Sequence, residues 1–419
     1  MSDTKIFVFL CLFLAIVFLI SFVFKSCFFS SKIESGFIEL QGRVLKTEPD
    51  KIVLKTDTEK VLVFTFEKFN YGDVIFVRGE AQPAPVFDDF NYKEYLKRKG
   101  IFRLMHEPEI EIVSKSRFSI YKSILGFRKK MSEKIEKNYN QEQASLLKAM
   151  LLGIKTDIPD SLKEKLNKSG IRHLTAISGM HTIILVNALM YLFLAIGLWR
   201  RQAFILTLLF IFLFIILTGF QPSTIRASIM AGMLLLAQAA GRLSDSTRAI
   251  VLTALIMLAI KPLLLFVIGF QLSFLAVLGI NYLTPILSYY LRKLPKTGGS
   301  KNILIMTLSV QLFTLPILIY NFGYISLIAP ITNLLILPIL PFILILGFLS
   351  LFLGITFVIP THMLLTYLIK VSEIFSSFTF SSINLRFSVF LCVLYYLFLI
   401  HFICFYRKKN RFRVVDPLI

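Results

Sequence analysis

The chain has 419 residues, a net charge of +21 and 56% apolar side chains, with a mean hydropathy of +0.73. That balance excludes a soluble protein and points to repeated membrane crossings. The four cysteines (11, 27, 392 and 404) include no Cys-x-x-Cys, and the five histidines stand singly, so no disulfide framework, zinc site, hydrolytic metal centre or other cofactor is expected.

The first element is an apolar run from Ile6 to Phe24, preceded only by Asp3 and Lys5 as charges. Phe22-Val23-Phe24-Lys25 offers no small-residue cleavage site, so residues 1–32 read as a retained transmembrane anchor. Residues 33–113 change character, with 12 basic and 15 acidic side chains. Alternating stretches at Phe37–Leu45, Lys51–Thr56, Lys60–Phe66 and Val74–Gly79, with a turn at Tyr71-Gly72-Asp73, predict short strands about ten residues apart. A five-stranded barrel of the oligonucleotide/oligosaccharide-binding (OB) type fits that length. Its aromatics (Phe64, Phe66, Phe69, Tyr71 and Phe76) would suit stacked bases, while its acidic balance suits a structural or docking role; both stay open. Asp89–Ile101 reads as a short helix stopped by Gly100.

Residues 114–173 form a basic helical connector, with 14 basic against 6 acidic side chains. Phe118–Lys155 reads as one long amphipathic stretch suited to the headgroup layer. Asp157-Ile158-Pro159-Asp160 breaks it, and a second short helix spans Ser161–Ser169.

The domain at 174–406 then carries the spans: Leu174–Leu198, Gln202–Thr218, Thr224–Ala240, Ala249–Ile260, Leu263–Leu287, Ile303–Tyr320, Ile325–Phe357, His362–Phe378 and Phe387–Phe405. Ile325–Phe357 is too long for one plain crossing and is interrupted by Pro330, Pro338 and Pro341. Basic clusters at Arg200-Arg201, in the 291–301 loop and in the 407–419 tail mark one face as cytoplasmic. Both termini are then cytoplasmic and the barrel periplasmic, provided Ile325–Phe357 counts as one net crossing.

Polar residues inside these spans carry the functional signal. Pro222 can open a helix that Ser223 and Thr224 cap, with Arg226 in its first turn: a ready anion site, or a structural arginine at a headgroup or an acid. Gly-Phe-Gln-x-Ser occurs at 219–223 and again at 269–273, placing Gln271 in hydrocarbon; Gln238, Asn281, Gln311 and Asn333 are similarly placed and together suggest a polar seam. Thr175, Ser178, His181 and Thr182 would share a helical face. Ser178 with His181 lacks an acid: Asp245 and Glu373 are the only ones between residues 174 and 415, so catalysis is not expected. No Gly-x-x-x-x-Gly-Lys-Ser/Thr occurs, so the chain is not by itself an ATP-driven motor.

An ordered set of blocks resembles the ComEC competence family. It runs through Phe90…Ile101, Ala144–Gly153, Gly170…Ile177-Ser178-Gly179-Met180-His181, Pro222-Ser223…Arg226-Ala227, Arg242 with Asp245, Pro262…Phe274, Thr314-Leu315-Pro316 and Pro330…Asn333…Pro338. The resemblance implies a polytopic α-helical inner-membrane protein with a small periplasmic OB-like barrel, acting as a channel for single-stranded DNA during natural transformation. It implies Ser178, Gly179, His181, Pro222, Ser223, Arg226, Gln271 and Asn333 as channel-lining or DNA-contacting residues. A cytoplasmic helicase-like motor and DNA-processing proteins are the implied partners. Many members continue into a metallo-β-lactamase-like domain; this chain reads as a short form, leaving strand degradation to a separate nuclease. The alternative from another class is a solute or lipid transporter with a periplasmic docking domain.

Overall fold

The computed structural model describes residues 36–410, apart from 48–49, 57–58, 68, 84, 86–95, 97–99, 116–119, 240–245, 294–298 and 379. The expected anchor at 1–32, most of the helix expected over 89–101, Arg242 and Asp245, Lys296 and the tail beyond 410 lie outside the described residues. The chain divides between Phe127 and Arg128 into two units.

The first unit is a barrel. Its strands are β1 (Gly36–Thr47), β2 (Lys51–Lys55), β3 (Lys60–Phe64), β4 (Val74–Pro83), β5 (Ile101–His106) and β6 (Glu109–Ser114). The order β1-β2-β3-β5-β4-β6 is closed by a further β1–β4 pairing. β3 and β5 run parallel and every other pair is antiparallel. The result is the expected OB-like barrel. β1 is long enough to serve two neighbours, bending at an irregularity between Val44 and Lys46. Period-2 alternation sends Ile52, Leu54, Val61, Val63, Ile75 and Val77 inward around Met105. β3 departs from alternation because Leu62 is buried on the outer face as well, against Leu96, Ile101 and Leu104.

The four strands expected over 37–79 are present; the fifth has no sequence signal of its own. β5 and β6 pair with successive lengths of β4 and are one strand interrupted at Glu107-Pro108. Glu107 is left-handed there (φ 44°) and Pro108 has no amide to donate, so the ladder breaks and resumes.

The second unit is helical. The stretch expected as one amphipathic helix is two: α1 (Ile120–Asn138) and α2 (Gln141–Leu152), separated by an extended Asn140. α2 does not lie with one face open to headgroups. Gln143 to Leu152 are all buried, and Leu146, Leu147 and Met150 sit in the largest core with residues from far along the chain, such as Ile343, Leu344 and Leu365. Each such side chain contributes about 1.5–3 kcal/mol on burial. The one cation among them, Lys148, is paired with Glu136 (2.6 Å) and with Asp157. A short helix α3 (Asp160–Lys168) follows as expected.

Beyond a 3-10 turn at Arg172–Thr175 come α4 (Gly179–Ala195), α5 (Arg200–Leu217), α6 (Pro222–Ala239), α7 (Ser246–Ile260), α8 (Ile268–Tyr282), α9 (Thr284–Tyr290), α10 (Ser300–Phe322), α11 (Ala329–Ile336), α12 (Leu340–Leu353), α13 (Ile355–Ser376) and α14 (Val389–Asn410). Among the described residues α5, α10, α13 and α14 are long and apolar enough to cross a bilayer. The pairs α8–α9 and α11–α12, bent by 44° and 49°, raise the number to six, and α4, α6 and α7 are shorter apolar helices. The stretch over 325–357, expected to be broken by its prolines, is such a pair: Pro338 lies between the two helices, and Pro330 and Pro341 lie in their first turns.

Two contacts tie the ends together. β7 (Tyr324–Ser326) pairs with β8 (Ser382–Asn384), so the chain returns after α13 to the face it left at the end of α10. At the opposite face the rings of Tyr289 and Tyr290 lie 6.1 and 5.4 Å from that of Tyr406. The end of α9, just before Arg292 and Lys293, and the end of α14 thus share a face, as the charge pattern predicts.

Candidate functional site

The chain is not yet helical where the sequence places the start of its second span. Residues 176–178 are extended, and Ser178 (φ −108°, ψ 172°) is the N-cap of α4. This corrects the shared face expected for Thr175, Ser178, His181 and Thr182: Thr175 belongs to the preceding turn and donates its hydroxyl to the Arg172 carbonyl (2.8 Å). His181 Nδ1 accepts the Ser178 amide at 3.3 Å and lies 2.8 Å from Ser178 Oγ. That reciprocal cap ties the two side chains together at a helix end. The ring is fully buried; Nε2 has the Leu174 carbonyl in its neighbourhood but no hydrogen bond of proper geometry.

α6 begins at the same level. Gly219 and Phe220 are both left-handed (φ 77° and 55°) and turn the chain out of α5. Pro222 then opens α6, where a missing amide costs nothing. Ser223 Oγ donates to the Ile177 carbonyl at 2.6 Å, fastening α6 to the residue before the α4 cap. One turn on, Arg226 is only 6% exposed. Its Nε donates to Ser273 Oγ (2.6 Å), its Nη1 lies 3.3 Å from Met230 Sδ, and its guanidinium carbon lies 5.8 Å from the Phe274 ring centroid. A methyl group added at Gly179 would come within 2.7 Å of Nη2. The guanidinium therefore lies against the bare first residue of α4.

The starts of α4 and α6 and the second turn of α8 thus meet around one arginine. Among the described residues Arg226 has no carboxylate partner, and its own neighbours, Thr224 and Ser228, each have a buried hydroxyl without a hydrogen bond. Removing a cation from water without a counter-ion costs several kcal/mol. Helix N-termini, with free amides and positive dipole ends, do not relieve that cost; they add to the positive potential. The charge of the guanidinium is thus left uncompensated among the described residues.

Of the eight residues expected at a site, Ser178, Gly179, His181, Pro222, Ser223 and Arg226 are brought together. Gln271 is not: its amide donates to the Leu265 carbonyl (2.9 Å) and closes the local turn into α8. Two positions further along the same repeated motif, Ser273 holds the guanidinium instead. Asn333, in α11, is buried with Oδ1 unpartnered, and no contact joins it to Arg226. Residue 170 places the start of α11 close by, since a methyl group at Gly170 would meet Ala329 at 2.4 Å.

An OB-like barrel joined to a unit of repeated apolar helices, with a buried arginine where helices converge, defines a multi-pass membrane protein. The sequence profile described as Competence protein matches residues 150–410. The chain belongs to that family, ComEC, as its ordered motifs indicate. ComE operon protein 3 of Bacillus subtilis (strain 168) is 33% identical over 259 residues, covering 62% of this chain and 32% of that protein. The chain spans about a third of the length of that relative. No solved structure matches the chain.

Proposed function

We propose that the helical unit is the inner-membrane passage through which single-stranded DNA enters during natural transformation. The observation that carries this reading is Arg226, desolvated, without a carboxylate among the described residues, and facing the start of α4. A phosphodiester is the anion that fits: a guanidinium forks onto two phosphate oxygens, and helix amides take the others. Membership of the competence family supports DNA over another anionic cargo. The face bearing Arg200, Arg201, Arg292, Lys293 and the end of α14 is the cytoplasmic one by the distribution of basic residues. Strands then enter from the face where α4, α6 and α8 begin, the periplasmic one, and both termini are cytoplasmic. The protein is a conduit, not an enzyme: Ser178 and His181 cap a helix, which leaves neither free to act as nucleophile and base. A helicase-like motor on the cytoplasmic face, DNA-processing proteins and a separate nuclease complete the system.

The test is uptake of labelled DNA by cells carrying Arg226→Ala or Arg226→Lys. Uptake falls at least tenfold in Arg226→Ala, with partial recovery in Arg226→Lys, while both proteins accumulate in the membrane. Unchanged uptake in Arg226→Ala removes the site from the path. Loss of small-solute uptake with normal DNA uptake makes the protein a solute transporter.

A further inference from the structure

A second pair of cations stands beside the Arg226 site, outside the spans. The turn between α2 and α3 is pressed onto the corner where α6 begins. Gly153 is left-handed (φ 71°), and a methyl group there would meet Gln221 Nε2 at 2.6 Å, the Thr218 carbonyl at 3.1 Å and Ile177 Cδ1 at 3.2 Å. Gln221 donates to the Gly153 carbonyl in return (3.3 Å). Lys155, two residues on, is exposed and makes no ion pair or hydrogen bond with the described residues. Arg172, one turn before the α4 cap, is exposed; its Nη1 donates to Asn167 Oδ1 at 2.9 Å, and its charge reaches the Tyr324 hydroxyl.

These two cations repel each other. Surrounding protein and then the charge of Arg172 hold the Lys155 pKa below its ordinary value, with no acid compensating. Five nearby carboxylates are paired with other lysines, Glu136 and Asp157 with Lys148, Asp160 with Lys163, Glu164 with Lys168 and Glu373 with Lys165, and Glu142 acts on Lys165. Burial holds the His173 pKa below its ordinary value, although the contact of Nδ1 with the Gly170 carbonyl at 3.2 Å works the other way. An exposed lysine and arginine of like charge, with no acid acting on the lysine, are matched by a polyanion rather than by this chain.

We infer that Lys155 and Arg172 form an outer phosphate station that holds the backbone of a nucleic acid strand beside the converging starts of α4 and α6, ahead of Arg226. This rests on the proposed function for the nature of the strand; the station itself rests on the two side chains. It takes phosphodiesters without regard to base sequence, because it offers charge and no base-reading group.

The full-length protein in phosphatidylcholine nanodiscs is titrated with a fluorescent oligothymidylate over a range of salt. Each phosphate that a side chain ceases to neutralise lowers the slope of log affinity against log salt by about 0.7. Lys155→Gln, which breaks no internal bond, lowers the slope by about 0.7, and the double change with Arg172→Gln by about 1.4. Lys155→Arg keeps the wild-type slope. Wild-type slopes in both Gln variants overturn the station and leave the cargo proposal standing. If the wild type ignores the oligonucleotide but holds inorganic polyphosphate through Lys155, the cargo proposal fails and the station stands. If the variants instead lose retention of phosphatidylglycerol in mixed discs, with the oligonucleotide slope intact, the pair is a headgroup site and the inference fails.

Discussion

Arg226 is held by a hydroxyl, a thioether and an aromatic face, none of which carries charge. Ser273→Ala removes the one strong bond, a hydrogen bond to a charged group that contributes about 1.5–3 kcal/mol. If that bond keeps the guanidinium aimed at its anion, Ser273→Ala lowers DNA uptake roughly ten- to a hundredfold with normal protein levels. Equal uptake shows that Phe274 and Met230 suffice. Gly179→Ala acts from the other side: the new methyl displaces Nη2, so uptake falls while the helices still assemble, because the end of a flexible side chain yields more readily than backbone. Neither residue stands out by type alone. Pro222, Ser223 and Arg226 are legible because a helix start next to a span and a charge within it are conspicuous. Ser273 is not, because one serine in an apolar helix has no distinguishing local signal; its repeated motif is visible, but the glutamine is the more conspicuous member. Lys148 is a different case, a buried cation with two carboxylates. Burial pulls its pKa down, but the hydrogen bonds and charges of Asp157 and Glu136 more than reverse this and raise it. Asp157, in turn, resists burial through Lys148 and Thr156 and stays below its ordinary value. The Asp157 contribution is therefore complete above the unfolded value of 3.8 and lost as pH falls through the lower folded value. The Lys148 contribution is complete below 10.5 and lost as pH rises through the higher folded value. Thermal unfolding of the detergent-solubilised protein is expected to show both limbs, and Lys148→Met to flatten both; persistence of the acid limb would assign it to other carboxylates.

At the level of elements, α10 shows how a proline is accommodated in a span. Pro316 has no amide, which leaves the Leu312 carbonyl without its helical partner. Tyr395 on α14 donates its hydroxyl to that carbonyl at 3.0 Å, and Tyr396 does the same for Phe313 at 3.0 Å. Tyr395→Phe strands the carbonyl and destabilises the protein by about 1 kcal/mol. Pro316→Ala restores the internal bond, so the double variant recovers most of that loss in a thermal-unfolding cycle. Simple additivity of the two changes would show that the tyrosine bond is incidental. Elements of this kind divide what sequence can and cannot show. The first four strands of the barrel alternate and are recognisable from that alone. β5 and β6 are six residues each, no shorter than β2 or β3, but Glu107-Pro108 interrupts them, so they do not read as one continuous strand. α2 is deceptive because its amphipathic spacing predicts one open face, whereas all ten residues from Gln143 to Leu152 are buried, and what covers them, in α12 and α13, lies some two hundred residues away.

For the molecule as a whole, the paired β7 and β8 and the Tyr289–Tyr290–Tyr406 cluster fix two opposite faces of the helical unit. With the native cysteines replaced, Arg201→Cys and Lys293→Cys are expected to react with an impermeant maleimide from one face, and Lys155→Cys from the other. Labelling of all three from the same face would break the arrangement of α4 to α9. The number and order of apolar segments, and the shared face of the end of α9 and the end of α14, can be read from composition and charge. The break in α11–α12 can be read from its length and prolines, whereas the bend between α8 and α9 cannot, since hydropathy is blind to a bend. The lone guanidinium among helix starts has one more consequence. A fixed positive centre, reinforced by aligned peptide dipoles, raises the electrostatic barrier for every small cation approaching that level. Any route past Arg226 therefore repels protons and sodium ions while it is empty, so a cell can keep this protein in an energised membrane without short-circuiting its ion gradients.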